Sequence, residues 1–308
     1  MFTALAVRHR PCRGGSVCYS HDRAHDWSPM ALAHNGDVRI YHETFGDPAD
    51  PALLLVNGLG SQCISYRSEM CERLAAPGYF VVRYDNRDVG LSTKSSERTP
   101  PDVPYLLSDM ALDGLAVLDE LGIERAHVFG ASLGGMIAQT MAIEHPERLL
   151  TLTSMMSTTG DPDVGQSSPE AHRLFLSPRP TDLESSVAYQ LACARVWESP
   201  ACYDEERRTR LAVEAFERCF HPRGTARQLM AILASGSRTA ALHDVSLATL
   251  VLHGDKDTLI DSSGGRRTAE AIPGARFVLI EGLGHDYPPP YWDQLVGLVH
   301  EHIGAPRP

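Results

Sequence analysis

The feature that most constrains this chain is a five-residue turn, Gly130-Ala131-Ser132-Leu133-Gly134. It lies between the apolar run AHVF and the helical stretch GGMIAQTMAIEH at 134–145. A strand can turn this sharply into a helix only if the apex residue accepts a strained backbone conformation. Its neighbours two positions away must also lack Cβ atoms, and glycine at 130 and 134 meets that demand. Apolar run, turn and helical stretch then recur along the chain. Strands that alternate with helices build a parallel sheet covered on both faces.

Residues 38–42 alternate in the period of a half-buried strand. Residues 52–56 (ALLLV) form a continuous apolar run ending at Asn-Gly, as a buried parallel strand requires. Further strands are predicted at 79–84, 126–130, 149–155, 249–252 and 276–280. Helices are predicted at 69–75, 108–121, 134–145, near 265–272 and at about 291–303, with Ser108 as a cap and Gly122 as a terminator of the second. Between 157 and 242 the rhythm breaks. That stretch is rich in charge and proline, holds no convincing buried strand, and carries helical segments at 184–197 and 205–220. The predicted fold class is α/β, a mostly parallel twisted sheet with helices on both faces. Its core is expected at 30–156 and 243–308. Residues 157–242 are expected to form a helical lid over the carboxyl edge of the sheet, where ligands bind in open α/β folds.

Composition narrows the partners. The net charge of −11 repels phosphate backbones, so nucleic acid is not an expected partner. No apolar run approaches the roughly 18 residues of a transmembrane helix. Seven cysteines without a CxxC pair read as reduced thiols of a cytoplasmic protein, with a Cys193–Cys202 pair left open. The first 29 residues carry four arginines against two acids and are expected to be a disordered extension, or to precede a true start at Met30. His9, Cys12, Cys18 and His21 within it match no zinc spacing.

The turn at Ser132 lifts a hydroxyl out of the sheet and aims a helix N-terminus at it, which favours developing negative charge. A serine hydroxyl needs a base. Of fourteen histidines, His285 follows the last predicted strand on a small-residue loop, and the order Ser, acid, His suits this turn. Asp257, after the strand at 249–252, is the expected acid, with Asp255 and Asp161 as rivals. The backbone N–H groups of Leu133 and of Leu59, in Asn57-Gly58-Leu59-Gly60, are the expected oxyanion donors; a plain Asn-Gly turn is the alternative for that loop. In the polar turn 85–92, Asp85 and Arg87 are read as loop fasteners. Phe175, Tyr189, Trp197, Phe216 and Met230 line a pocket or form the lid's own core.

The motifs NGLG, YDNRDVGLS, HVFGASLGGMIAQ, LVLHGDKD and GLGH, in this order, resemble the α/β-hydrolase fold-1 superfamily. RYDNRDVGLS together with GASLGGMIAQ is similar to bacterial carboxylesterases of the aclacinomycin methylesterase type. The resemblance covers about residues 32–303 and is weak through the insertion. It implies Ser132 as nucleophile, Asp257 as acid, His285 as base, and Leu59 and Leu133 at the oxyanion positions. The chain departs from it with Asn57 where histidine is frequent and Asp88 where many members have glycine.

The expected function is a serine-dependent carboxylic ester hydrolase, esterase- or lipase-like, acting on a small or medium, fairly apolar ester. The same triad also serves thioesterases, C–C hydrolases and cofactor-free perhydrolases, and a non-catalytic ligand receptor on this scaffold is the alternative of another class. No metal or organic cofactor is implied. The expected partner is a small-molecule ester, and a homodimer stays open.

Overall fold

The computed structural model describes residues 31–95 and 105–304. The arginine-rich extension, Met30 and the residues His9, Cys12, Cys18 and His21 lie outside the described residues.

The strands are β1 (Leu32–Asn35), β2 (Val38–Phe45), β3 (Ala52–Val56), β4 (Phe80–Tyr84), β5 (Ala126–Ala131), β6 (Leu149–Met155), β7 (Thr249–Gly254) and β8 (Arg276–Ile280). The helices are α1 (Ser68–Ala75), α2 (Leu107–Glu120), α3 (Leu133–Glu144), α4 (Pro169–Phe175), α5 (Leu183–Trp197), α6 (Glu205–Arg218), α7 (Pro222–Ser235), α8 (Thr239–Leu242), α9 (Ser262–Ala271) and α10 (Trp292–Ile303). The eight strands form one sheet in the order β1-β2-β4-β3-β5-β6-β7-β8. β1 pairs antiparallel with β2, and β2 with β4; all other pairs are parallel. The fold is the α/β sheet that the sequence predicts.

Period-two alternation divides each buried strand between two cores. Leu54, Val56, Val82, Val128 and Leu152 pack with residues of α2 and α3. Leu53, Leu55, Val81, Phe129 and Leu252 face the opposite way and pack with α1 and α10. Each such fully buried aliphatic side chain stabilises the fold by about 1.5–3 kcal/mol.

β1 is absent from the sequence reading. It has four residues and reaches β2 through Gly36-Asp37, with Gly36 at φ +58°, and it is too short to show a period. Ser108 does not cap α2. It lies inside the first turn and bonds Glu144, while the Asp109 carboxylate takes the Leu106 N–H at 2.7 Å. Gly122, at φ +69°, follows the helix end. α4 and α7 were not singled out by sequence either.

Because the central strands are parallel, their carboxyl ends share one edge. The loop after β3 carries Leu59, the loop after β5 carries Ser132, and those after β7 and β8 carry Asp257 and His285. The segment between β6 and β7 holds α4 to α8 and no strand. Cys193 and Cys202 within it are both free thiols, so the pairing left open by the sequence is absent.

Candidate active site

Ser132 stands at φ +56°, ψ −120°, a conformation that side chains other than glycine rarely adopt. A Cβ on Gly130 would run into the Gly134 carbonyl, and one on Gly134 into the Val56 carbonyl. The apex is held from both sides: Ser132 N–H donates to Met155 O at 2.9 Å, and Ser132 O accepts from Gly135 N–H at 2.9 Å.

The ring of His285 joins two loops. Its Nε2 lies 3.0 Å from Ser132 Oγ, and its Nδ1 lies 2.7 Å from Asp257 Oδ2. A carboxylate can only accept, so the proton sits on Nδ1 and the lone pair of Nε2 faces the serine hydroxyl. The other Asp257 oxygen accepts the N–H groups of Leu259 and Ile260 at 3.0 and 2.9 Å. Buried His253 donates through Nε2 to Ile260 O at 2.8 Å, bracing the same turn.

Burial alone would push the Asp257 carboxyl up, but His285 and the hydrogen bonds hold it at about 2. Burial likewise disfavours protonation of His285. The carboxylates of Asp257, Asp286 and Glu198 outweigh that and raise its pKa above the ordinary imidazole value.

The rival acids lie elsewhere. Asp161 is held by Ser237, Thr239 and Arg267. Asp255 accepts from Gly282 N–H at 2.6 Å and pairs with Lys256 at 3.0 Å. Of the three, Asp257 meets His285.

Leu133 opens α3, so its N–H has no partner within the helix. The loop 57–60 lies against Ser132, since a Cβ on Gly58 would be 3.3 Å from Ser132 Cβ. Leu59, Leu133, Ser132 and His285 all line one cavity of about 670 Å³, roofed by the segment between β6 and β7. Phe175, Tyr189, Trp197 and Phe216 line it too, and Met230 is not among its lining residues. Tyr189 and Trp197 also belong to the small core of that segment, so they serve both purposes.

The turn 85–92 fastens loops. Asp85 accepts the N–H groups of Cys63 and Leu91 at 2.6 and 2.7 Å, and Arg218 reaches it from α6 at 2.8 Å. Arg87 forms a bidentate pair with buried Asp113 at 2.6 and 2.7 Å. Asn57 donates to Tyr84 O at 3.0 Å and Asn86 to Asn57 O at 3.0 Å.

The sequence reading gave no part to His253, Ser199, Asp286 or Gln228. The partners of Ser199, Asp286 and Gln228 lie 85 or more residues away, whereas His253 bonds Ile260 and lies four residues before Asp257; this spacing, and the place of Asp286 beside His285, were the signals the sequence offered.

Comparison with known proteins gives the family and the fold. The pattern of the family Hydrolase_4 (serine aminopeptidase, S33) matches residues 47–288. Rhodomycin D methylesterase DnrP of Streptomyces peucetius is 34% identical over 90% of this chain and 99% of its own. Among solved structures, a hydrolase from Pseudomonas aeruginosa PA01 superposes with a TM-score of 0.71 at 25% identity, covering 91% of this chain and 100% of that one. The meta-cleavage product hydrolase CumD of Pseudomonas fluorescens IP01 gives 0.74 at 19% identity, covering 88% and 96%; this last likeness concerns the fold alone.

Proposed function

We propose, for a chain that belongs to the Hydrolase_4 (serine aminopeptidase, S33) family, that its reaction is hydrolysis of a carboxylic ester through a Ser132 acyl-enzyme. The observation that carries this reading is the hydrogen-bonded line from Ser132 Oγ through the His285 ring to Asp257. A binding protein would have no use for a strained serine aligned with an oriented imidazole.

Ser132 Oγ attacks the ester carbonyl while His285 Nε2 takes its proton. The imidazolium so formed is stabilised by Asp257, which stays ionised. The N–H groups of Leu59 and Leu133 receive the oxyanion, aided by the N-terminus of α3. His285 then protonates the leaving alcohol. Water enters, gives its proton to His285 and releases the acid.

The relative named a methylesterase supports a small alcohol as leaving group. The cavity supports a medium-sized acyl part, since about 670 Å³ lies within the range of pockets that hold drug-sized ligands. Arg179, Gln190 and Arg208 on its walls are engaged with Tyr189, with one another and with Glu198, which leaves the apolar groups to receive a fairly apolar ester. The segment 157–242 acts as the lid that selects it. The net charge of −11 supports a small molecule rather than nucleic acid as partner. Among the described residues no helix is long and apolar enough to cross a membrane; with the free cysteines, this supports a cytoplasmic setting.

The test is labelling with a fluorophosphonate. Wild type should be modified at Ser132, as located by mass spectrometry, and Ser132→Ala should not react. A folded wild type that resists the probe would overturn the proposal.

A further inference from the structure

We infer that Gln228, on helix α7 of the lid, is a positioning residue of the oxyanion hole: its amide holds the loop 57–60 so that the Leu59 N–H faces the cavity. This rests on the reading of Leu59 as an oxyanion donor.

Gln228 is fully buried and sits behind the loop, not among the residues that line the cavity. Its Oε1 accepts the Gly60 N–H at 2.9 Å, and its Nε2 donates to the Arg87 carbonyl at 2.8 Å. A flipped amide would set a donor against the Gly60 N–H and an acceptor against the Arg87 carbonyl, so one orientation alone satisfies both. Gln228 thereby ties the Gly60 side of Leu59 to the turn after β4. Gly58 O accepts from Ser61 N–H at 3.2 Å. In a trans peptide the N–H points opposite to the C=O, so the Leu59 N–H is turned away from that bond. The next N–H, of Gly60, is taken by Gln228. Like the Gly58 N–H, the Leu59 N–H has no protein acceptor among the described residues.

Gln228 is itself firmly seated. Arg227 beside it forms a two-pronged pair with the Asp88 carboxylate at 2.8 and 2.7 Å. A Cβ on Gly224 would strike the Asp88 carbonyl, so the first turn of α7 rests directly on that loop. Thr225 packs on Gly60, which stands at φ +68°. One face of α7 thus docks on the turn after β4 and on the oxyanion loop together. Asp88, which departs from the glycine of many α/β-hydrolases, supplies the anchor. The lid is part of the catalytic frame, and substrate selection and oxyanion geometry are set by the same helix.

The test compares wild type, Gln228→Leu and Gln228→Glu in steady-state hydrolysis of a reporter methyl ester, together with inhibition by a trifluoromethyl ketone. The Ser132 adduct of that ketone places an oxyanion in the hole. Thermal melting establishes that each variant is folded. Gln228→Leu should lower kcat by about 10- to 100-fold with KM changed less than about twofold. The ketone should weaken by the same factor as kcat/KM. Gln228→Glu keeps an acceptor for the Gly60 N–H and should recover part of both. If Gln228→Leu fails to fold, Gln228→Glu decides by whether ketone affinity tracks kcat/KM. Unchanged kcat, or a loss of activity without a matching loss of ketone affinity, overturns the inference. A wild type that turns over, with Gln228 variants whose kcat and ketone affinity match it, removes this inference alone. A wild type with no turnover and no labelling at Ser132 removes the parent reading with it.

Discussion

The backbone N–H of His285 donates to the Trp197 carbonyl at 2.6 Å, so the proposed base is tied to the end of lid helix α5. The bond is one of a set. Gly284 N–H donates to Ser199 Oγ at 2.9 Å, Ser199 N–H donates to Asp286 Oδ1 at 3.0 Å, and Thr258 Oγ1 donates to Val196 O at 2.7 Å. Residues 196–199 therefore clasp both the loop that carries His285 and the loop that carries Asp257. A Cβ on Gly284 would collide with this clasp, so glycine there lets the two backbones meet. The proposed lid is anchored to the core where α5 ends.

Ser199→Ala should loosen that clasp. It strips a buried partner from the Gly284 N–H, which costs about 1–3 kcal/mol. Thermal melting should show the loss. Hydrogen exchange at the Gly284 and His285 amides should quicken more than exchange in β5 and β6. Unchanged protection at these two amides would mean that the clasp does not hold the loop.

Asp257→Asn should leave the fold intact and lower kcat by roughly 10⁴-fold. The amide can donate to Nδ1, which favours the tautomer whose proton faces Ser132. Steady-state kinetics on a reporter ester, with circular dichroism as a control, measures this. A drop below about tenfold would assign the orienting role to another acid.

The acid limb of kcat/KM should have an apparent pKa above the ordinary imidazole value of 6.5. Activity requires neutral His285, and despite burial its carboxylate neighbours raise its pKa. Asp257, held at about 2, stays ionised throughout. The sign for stability follows. The raised His285 pKa contributes stability that is complete below 6.5 and is lost as pH rises through the folded value. The lowered Asp257 pKa contributes stability present above 3.8 that is lost as pH falls through about 2. In Asp257→Asn the His285 pKa, followed by NMR titration, should fall. A rise would contradict the assignment.

Asp88 stands at φ +73° and holds Arg227 with two hydrogen bonds inside the protein. Removing one partner of a buried pair costs about 3–5 kcal/mol. Asp88→Ala should lose that much, whereas Asp88→Gly should lose about 1 kcal/mol less, because glycine accepts positive φ without strain. Equal denaturant midpoints for the two variants would show that the backbone conformation carries no strain.

What could be read from the residues had a local physical cause. Central parallel strands are buried on both faces, so β3 appears as an unbroken apolar run, and β4 and β5 as apolar runs interrupted at Arg83 and at His127. The turn at Ser132 demands small neighbours two positions away, and Gly130 and Gly134 advertise it. β1, with four residues, and α7, whose buried face includes the glycine Gly224 and the polar Gln228, carry no period that marks them. The cap expected of Ser108 failed because the helix begins one residue earlier, at Leu107, which puts Ser108 inside the first turn, where its hydroxyl bonds Glu144.

The sequence by itself determined the α/β alternation, the strained turn, and a serine, three acids and a histidine in chain order, because each depends on contacts within a few residues. Only the tertiary structure decided which acid meets His285. Asp161, Asp255 and Asp257 all follow strands, and the choice depends on where the β7 and β8 loops converge. It likewise decided that the lid clasps both loops and that Gln228 braces the loop of Leu59. Those partners stand 85 residues apart for Ser199 and Gly284 and 168 apart for Gln228 and Gly60. No local pattern records a hydrogen bond whose two ends are brought together only when the sheet has formed and the segment between β6 and β7 has packed over its edge.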